Sequence, residues 1–475
     1  MPQVNIPFLA GSLGGLEPPL LQNSKTTSGE SQRAFHDSGR DPSCARLRRT
    51  SKRVPDDENT DRSELEGGDA GNAFLRLNLK FAFELWYHAR MIQRQLSTFV
   101  RDMAHQYPAV TVFGPRQSGK TTLVRDVFPN YDYVNLEDRE SRNLAASDAK
   151  AFFALHPPPV ILDEIQHVPE LASTVQVLVD ERRHDMGRFI LTGSHQPLLA
   201  ETVSQSLAGR TAILDLYPPA ISELGKSVHE TTTDALMHRG FMPELWRTPS
   251  LDPTVWYRNY FRTYVERDVR KLVNVRNTIL FEKFVTLLAG RIGQIVNLHS
   301  LSGEVGVSST TLGEWLATLE SSFLVFRLPP SATNISKRVV KSPKVYFTEV
   351  GLAVYLLGLE TPAQVARDPL RGNLFENMVV ADAMKQRANL GKEPRLSFLR
   401  TGSGFEIDLI ASVGGEVRPI EIKSSMTWHS DFSNGPVRFV AETSRAVSPT
   451  VVYDGADMDL SNGVSVRNFR TFRVT

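Results

Sequence analysis

Cysteine is almost absent from this sequence, and so are long apolar runs and a surplus of charge of one sign. The single cysteine, Cys44, excludes an internal disulfide framework and a zinc site built from several cysteines. We therefore expect a reducing compartment, the cytoplasm. No apolar run reaches the roughly 18 residues of a membrane-spanning helix, so we expect no membrane partner. The 54 basic and 53 acidic side chains leave a net charge of +1, which argues against a strongly basic nucleic-acid binder.

The near-zero net charge hides an uneven distribution along the chain. Residues 91–225 carry 12 basic and 16 acidic side chains, whereas residues 255–345 carry 13 and 6, a net charge of +7. Such a basic segment can contact DNA phosphates without reading the base sequence. Residues 1–72 are rich in Gly, Ser, Pro and charged residues and have no sustained helical or strand period, and residues 73–90 are more apolar but fit no clear element. We interpret both stretches as a disordered or spurious tail, with folded sequence from Met91.

The clearest motif is a glycine-rich loop between a β-rich run and a helical run. Residues 114–121 read GPRQSGKT and match G-x-x-x-x-G-K-[ST], a phosphate-binding loop when a strand precedes it and a helix follows. Loop N–H groups and the helix N-terminus favour phosphate. Lys120 is expected to reach the β- and γ-phosphates, and the Thr121 hydroxyl to hold Mg²⁺. The predicted nucleotide-binding residues are Gly114, Pro115, Arg116, Gln117, Ser118, Gly119, Lys120, Thr121 and Thr122.

A second apolar run, residues 159–162, ends in two carboxylates, Asp163 and Glu164. A continuous apolar run is typical of a buried parallel strand, and ligands bind at the carboxyl ends of such strands. Asp163 is predicted to bind Mg²⁺, directly or through water. Glu164 is predicted to act as the general base for the attacking water.

Two further polar residues are candidates for catalysis. A third strand, residues 188–194, ends in Ser194, which could contact the γ-phosphate or the attacking water, with Thr192 as the second choice. The alternative for Ser194 is a strand-capping turn. Arg210 precedes another strand and could be an arginine finger or nucleotide sensor, with a plain surface arginine as the alternative. If Arg210 acts in trans, activity requires an oligomer.

Taken in order, GPRQSGKTTL, VILDEIQ, LTGS and SLAGRTAILDLYPPAISEL resemble AAA-superfamily ATPases joined to a C-terminal domain of unknown function, DUF4143. The resemblance continues through EIDLI and IEIKSS to about residue 430. It implies ATP as the ligand, and it strengthens the case for Arg210. Glu349 is a departure, because the family usually has Asp before this Gly-Leu pair.

The basic segment contains a predicted winged helix-turn-helix. A short helix over 298–305, a turn at 306–308 and a helix over 310–319 precede a strand. The second helix is expected to expose Thr310, Thr311, Glu314 and Trp315. We interpret the region as a DNA contact; a lid or protein-binding module is the alternative. The flanking basic residues are Arg258, Arg262, Arg267, Arg270, Lys271, Lys337, Arg338, Lys341 and Lys344.

Charged residues also cluster on two predicted strands near the C-terminus. Asp408 lies on the first, and Glu421 and Lys423 share one face of the second because strands have a period of two. Glu376, in an upstream helix, could complete an acidic cluster. The pattern looks like a restriction-endonuclease-like D…ExK site, with Glu376, Asp408 and Glu421 holding Mg²⁺ and Lys423 helping to generate hydroxide. The alternative is a domain that keeps this shape without cleaving DNA.

The predicted fold class is α/β: a P-loop, AAA-type parallel sheet, then a winged helix-turn-helix region and a small restriction-endonuclease-like α/β domain. The predicted function is an ATPase that uses ATP and Mg²⁺ and couples nucleotide state to DNA binding or processing. The alternative is an ATP-dependent switch or scaffold for a protein partner, with an inactive nuclease-like domain. The predicted boundaries are 1–90 for the tail, 91–225 for the ATPase domain, 226–335 for the helical lid and winged helix, and 336–475 for the DUF4143 domain.

Overall fold

A computed structural model describes residues 91–194, 203, 205–264, 278–331, 342–443 and 447–474. The predicted tail lies outside the described residues, and so do six of the basic residues that flank the predicted winged helix. Within the described ranges, no helix combines the length and apolar character needed to cross a membrane.

A five-stranded parallel sheet with the strand order β2-β3-β4-β1-β5 forms the first part of the structure. Its strands are β1 Ala109–Phe113, β2 Asp132–Asn135, β3 Val160–Asp163, β4 Phe189–Gly193 and β5 Thr211–Asp215. The helices around it are α1 Leu96–Ala104, α2 Lys120–Val127, α3 Arg139–Ser147, α4 Ala149–Leu155 and α5 Leu171–Glu181. β1, β3 and β4 are buried throughout, as their apolar sequences predict. Because all five strands are parallel, they end at the same edge of the sheet, where β1 leads into the glycine loop.

A helical region follows the sheet. Its helices are α6 Lys226–Glu230, α7 Thr233–Arg239, α8 Pro243–Arg247, α9 Pro253–Tyr264, α10 Thr278–Ala289, α11 Leu298–Val305 and α12 Ser309–Ser321. Two antiparallel strands come next, β6 Val325–Leu328 and β7 Lys344–Phe347. The Ser308 hydroxyl caps α12 by accepting a hydrogen bond from the Thr311 N–H. The two helices and the following strand occur in the predicted order; the winged helix-turn-helix and its contact with DNA stay predictions.

The expected exposure of Trp315 is wrong. Thr310 and Glu314 are exposed, but the Trp315 side chain is only 4% exposed. Its ring lies 5.4 Å from the Phe281 ring and 5.9 Å from the Phe284 ring. The helical period places Trp315 beside the apolar face of α12, where α10 covers it. The aromatic side chain therefore belongs to the core of the helical region.

The C-terminal part is built on a six-stranded mixed sheet with the strand order β12-β13-β11-β10-β9-β8. Its strands are β8 Leu396–Arg400, β9 Glu406–Val413, β10 Glu416–Lys423, β11 Thr450–Tyr453, β12 Met458–Asp459 and β13 Ser465–Asn468. Its helices are α13 Val350–Leu356, α14 Pro362–Arg367, α15 Arg371–Asn389 and α16 Asn434–Glu442. β9 and β10 pair in antiparallel register across the Gly414–Gly415 turn, as the sequence predicts.

Helix α15 is buried along most of its length and joins the parts of the fold. The Asn377 amide bonds both backbone groups of Phe347, at 2.7 and 2.9 Å. Farther along the helix, the Asp382 carboxylate accepts a 2.7 Å bond from the Ile221 N–H, just after the parallel sheet. Buried polar groups are stable only when they are paired, so these contacts specify where α15 lies.

Glu349, which replaces the aspartate usual in the family, makes buried hydrogen bonds within the protein. Its buried carboxylate accepts hydrogen bonds from the N–H groups of Phe241 at 2.8 Å and Gly351 at 3.3 Å. The Lys385 ammonium lies 4.0 Å away. A glutamate therefore serves here as the N-cap of α13 and as a tie to the preceding helical region.

We predict that Trp315→Ala lowers the free energy of unfolding by about 3–5 kcal/mol, because it removes a buried aromatic side chain. The neighbouring exposed substitution Glu314→Ala should change it by no more than about 0.5 kcal/mol. Urea unfolding of the full chain, followed by circular dichroism, measures both. Equal effects of the two substitutions would contradict burial of Trp315.

Candidate functional site

The glycine loop closes tightly against the segment that follows β5. A Cβ atom on Gly114 would lie 2.2 Å from the carbonyl oxygen of Leu216, so only glycine fits there. Gly119, which precedes α2, has a φ of +95°, a conformation that favours glycine. These two glycines set the width and the curvature of the loop.

Lys120 and Ser118 give the loop a chemistry that suits phosphate. The buried Lys120 ammonium donates hydrogen bonds to the carbonyl oxygens of Gly114 at 3.1 Å and Pro115 at 2.9 Å. Within the described residues, the buried Ser118 hydroxyl has no hydrogen-bond partner. A cation, an unsatisfied hydroxyl and the N-terminus of α2 therefore lie together, and this set of donors fits a nucleotide phosphate.

The Asp163 carboxylate is the meeting point of three hydroxyl groups. Thr121 and Tyr133 each donate to Oδ2 at 2.8 Å, and Thr192 donates to Oδ1. These donors come from α2, β2 and β4, so the carboxylate is oriented from three sides. Thr121 and Asp163, predicted from the sequence as the Mg²⁺-holding pair, are thus in contact and could share a cation.

Tyr133 is a member of the site that sequence reasoning missed. Burial, together with the hydrogen bond to Asp163, raises the pKa of the Tyr133 hydroxyl, which therefore stays a donor. The Arg125 guanidinium covers the ring, 4.8 Å from its centre. No motif marks Tyr133, because its place beside Asp163 comes from the parallel pairing of β2 with β3.

Glu164 follows Asp163 in a left-handed conformation, with φ +57° and ψ +47°. Such a backbone is uncommon for a residue with a long side chain and is often found at functional sites. Burial by itself would raise the pKa of the Glu164 carboxyl. The charges of Lys120 and Arg116 and the amide of Gln166 outweigh burial and hold the pKa below its usual value. Glu164 is therefore an ionised carboxylate close to the loop lysine.

The end of β4 supplies the remaining polar group. β4 pairs with both β1 and β3, so Ser194 lies between the loop and the two carboxylates. The Ser194 N–H bonds the Glu164 carboxylate, and its buried hydroxyl has no partner among the described residues. Thr192, the second choice from the sequence, is engaged with Asp163. Of these two residues of β4 and its end, Ser194 is thus the one whose hydroxyl has bonding capacity left for a ligand.

Arg210 does not join this group. It precedes β5, and Thr211 pairs with Ala109 at the start of β1, whereas the loop follows the end of β1. The intervening strand spans about 16 Å. The Arg210 guanidinium instead pairs with Asp180 at 2.8 and 2.9 Å. A finger or sensor acting on the nucleotide of its own chain is therefore wrong for Arg210, because the fold places it at the opposite edge of the sheet.

The C-terminal charged residues do come together. The Asp408 carboxylate accepts a 2.9 Å bond from the Ile422 N–H, and the Lys423 ammonium donates to Glu421 at 2.6 Å. Burial and the Asp408 charge raise the pKa of Glu376 to about 7, and the same causes raise that of Glu421 to about 7. We call Glu376, Asp408, Glu421 and Lys423 the acidic cluster.

Lys344 places a buried positive charge beside the acidic cluster. The prediction that Lys344 is one of the basic residues facing DNA is wrong, because this lysine is only 2% exposed. Its ammonium donates to Glu376 at 3.0 Å and pairs with Glu406 at 2.8 Å. Tyr346, from the same strand, also donates to Glu376 at 2.5 Å. Among the described residues, no group of three or more acidic, histidine or cysteine side chains is arranged to hold a metal ion.

Other basic side chains of the +7 segment also have internal partners. Arg291 pairs with Glu304 at 2.5 Å, and Lys283 donates to the carbonyl oxygen of Glu304 at 2.5 Å. Arg327 pairs with Glu320 at 2.6 Å. Arg291 and Arg327 are therefore paired with acids that the net charge of +7 already includes, whereas the acids around Lys344 lie outside the segment.

Comparisons with known proteins agree with this geometry. The AAA domain family matches residues 106–225, and the domain of unknown function DUF4143 matches residues 371–471. A further domain of unknown function, DUF8612, matches residues 230–363. An uncharacterized protein of Mycobacterium tuberculosis is 32% identical over 338 residues, which make up 70% of this chain and 74% of that protein. An uncharacterized protein of Haemophilus influenzae is 22% identical over 66% of this chain and 81% of that protein.

Two solved structures are also similar to this chain. A Walker-type ATPase of Pyrococcus abyssi aligns with a TM-score of 0.39 and 13% identity, over 56% of this chain and 96% of that chain. DnaA of Aquifex aeolicus bound to AMPPCP aligns with a TM-score of 0.24 and 12% identity, over 51% of this chain and 87% of that chain. The family of this protein is shown by the sequence matches, and the geometry of the glycine loop and the parallel sheet agrees with it.

A five-stranded parallel sheet whose glycine loop leads into a helix at its carboxyl edge defines a P-loop ATPase domain. The chain belongs to the family of AAA-type P-loop ATPases that carry a C-terminal DUF4143 domain.

We predict that Glu421→Gln flattens the pH dependence of stability. The pKa of Glu421 is raised from 4.5 to about 7 in the folded chain, so its protonated form stabilises the fold and this contribution is lost as the pH rises through that window. Glutamine stays neutral, so the variant should gain stability relative to wild type from about pH 4.5 to about pH 7. Urea unfolding in EDTA measures this, with the exposed Glu416→Gln as the control. Parallel curves for wild type and Glu421→Gln would contradict the prediction.

Proposed function

We propose that this chain binds Mg·ATP at the glycine loop and hydrolyses it. The observation that carries the proposal is the convergence of Lys120, Asp163, Glu164 and Ser194 at one edge of the sheet. These residues lie on three separate segments and have no shared structural need to meet there. The AAA-family match over the same residues supports ATP as the nucleotide.

Each residue has a defined task in this proposal. The backbone N–H groups of the loop, other than at Pro115, and the Lys120 ammonium bind the phosphates. Thr121 and Asp163 hold Mg²⁺, which when bound neutralises charge on the phosphates. Thr122, next in α2, completes the predicted nucleotide-binding set.

Glu164 and Ser194 act on the water molecule. Because the pKa of Glu164 lies below its usual value, this carboxylate is ionised at neutral pH and can orient the water and accept its proton. The Ser194 hydroxyl contacts the γ-phosphate or the same water. Arg116, whose charge acts on Glu164, contributes to the positive potential of the loop.

We expect Lys120→Ala to abolish ATP binding, because the loop loses its only phosphate-facing ammonium. Glu164→Gln should keep ATP binding and lower kcat by about 100-fold or more, since only the proton acceptor is removed. Calorimetric binding and phosphate release measure the two effects in the full chain. The exposed Lys150→Ala is the control and should match wild type. Unchanged ATP affinity in Lys120→Ala would refute the assignment.

The second part of the proposal concerns the process to which ATP hydrolysis is coupled. The predicted role in DNA binding or processing is supported by the assembly of the acidic cluster and by the helix-turn-helix order of α11 and α12. The alternative, a switch or scaffold for a protein partner, is supported by Lys344, which compensates Glu376 without a metal ion. A cytoplasmic location, an oligomer in which Arg210 acts in trans, and domains over 91–225, 226–335 and 336–475 stay predictions.

The ion pairing of Lys344 leads us to expect no DNA cleavage. Supercoiled plasmid should remain intact with Mg²⁺ or Mn²⁺, with or without ATP. Nicking by wild type would contradict this expectation. If nicking were lost in Asp408→Asn and kept in the exposed Asp431→Asn, it would assign phosphodiester hydrolysis to the acidic cluster. Gel electrophoresis of the plasmid distinguishes these outcomes.

A further inference from the structure

We propose that Arg94 is a positioning residue for the phosphate loop, an inference that rests on the proposed ATPase function. Arg94 lies just before α1, outside every motif of the sequence analysis. Its side chain is only 8% exposed. Its role is to hold one peptide group of the loop in the orientation that phosphate binding requires.

The Arg94 guanidinium bridges the loop to two fixed points. Nη1 donates to the carbonyl oxygen of Ser118 at 2.9 Å, and Nη2 donates to the carbonyl oxygen of Tyr217 at 2.7 Å. Nε donates to the Glu223 carboxylate at 3.1 Å. A planar guanidinium can serve three acceptors in different directions at once, which an ammonium on a flexible stem does less well.

Fixing the Ser118 carbonyl also fixes the next N–H group. In a trans peptide the C=O and N–H bonds point in opposite directions, so the Gly119 N–H points away from Arg94. Glycine tolerates both signs of φ, so Gly119 by itself does little to prevent this peptide from turning over. The bond to Arg94 disfavours the turned orientation and keeps the N–H available to a phosphate oxygen.

The Glu223 carboxylate orients the Arg94 guanidinium, and its hydrogen bonds are made within the protein. The buried carboxylate also accepts hydrogen bonds from the N–H groups of Gln95 and Ala220, both at 2.7 Å. Backbone contacts therefore place the acid, and the acid places the guanidinium. Ile221, within the same short helical turn, donates to Asp382 of α15, so the anchor of the loop is built on the segment that contacts the C-terminal part.

If the Arg94–Glu223 ion pair only stabilised the fold, its loss would have a different effect. Loss of a structural pair would lower the unfolding midpoint and leave the KM for ATP unchanged in the protein that remains folded. Loss of a positioning residue raises KM, because the loop must be reordered by the nucleotide itself. The effect on kcat should be smaller, since Lys120, Asp163 and Glu164 are untouched.

The experiment compares wild type with Arg94→Lys, Arg94→Ala and Arg101→Ala in the full chain. Arg94→Lys keeps the positive charge beside Glu223 and protects the fold, but it cannot reproduce the three directed hydrogen bonds. Arg101→Ala, an exposed arginine on α1, is the matched control. KM and kcat for ATP are measured together with the unfolding midpoint. For Arg94→Ala the assay is repeated with added guanidinium or an equal concentration of NaCl.

We expect KM to rise on the order of tenfold or more in both Arg94 variants, with kcat changed less and Arg101→Ala like wild type. Guanidinium, but not NaCl, should lower the KM of Arg94→Ala. Unchanged KM in Arg94→Lys, or a lowered unfolding midpoint without a KM change in either variant, would overturn the proposal. A wild-type protein without ATPase activity would instead overturn the proposed function, so the two failures are distinguishable.

Discussion

Parallel pairing of β1 with β4, and of β4 with β3, brings three strand ends to one edge of the sheet. The glycine loop, Ser194 and the Asp163–Glu164 pair follow these three ends directly. Because parallel strands run in the same direction, the residues that follow them must lie at the same edge. The N-terminus of α2 lies at this edge as well, because α2 begins at the end of the loop. The candidate nucleotide site depends on this pairing, and the hydroxyl bonds to Asp163 refine it.

Helix α15 is the second organising element. Most of its polar residues are buried, and its polar side chains contact different parts of the chain. Glu376 belongs to the acidic cluster and bonds Lys344, whereas Asp382 bonds the Ile221 N–H beside the anchor of the phosphate loop. Asp382 lies six positions after Glu376, about 9 Å along the helix. One continuous helix therefore carries both the contact with Lys344 and the contact with the segment that anchors the loop.

Among the described residues, Lys344 shows that a charge counted along the sequence need not lie on the surface. The +7 segment suggested a face for DNA, yet Lys344 is buried among acids, and Arg291 and Arg327 pair with acidic side chains of the same segment. The acids that Lys344 contacts, Glu376 and Glu406, come from α15 and β9, which lie outside the +7 segment. Formal charge adds up over sequence neighbours, whereas electrostatic energy depends on distance in space, and in a low-dielectric interior the nearest partner dominates.

Residue spacing was enough to predict the phosphate loop, the Asp163–Glu164 pair, Ser194 between them and the hairpin that carries Asp408, Glu421 and Lys423. Each of these follows from local rules, such as the glycine pattern, a continuous apolar run or the two-residue period of a strand. Glu406 shares that period with Asp408 and could have been found in the same way. Tyr133, Lys344 and Arg94 could not, because long-range packing of β2, β7 and the start of α1 brings them to their partners. The prediction that Arg210 reaches the nucleotide of its own chain failed for a similar reason. The distance from Arg210 to the loop depends on the direction and length of β1 and β5, which only the assembled sheet defines.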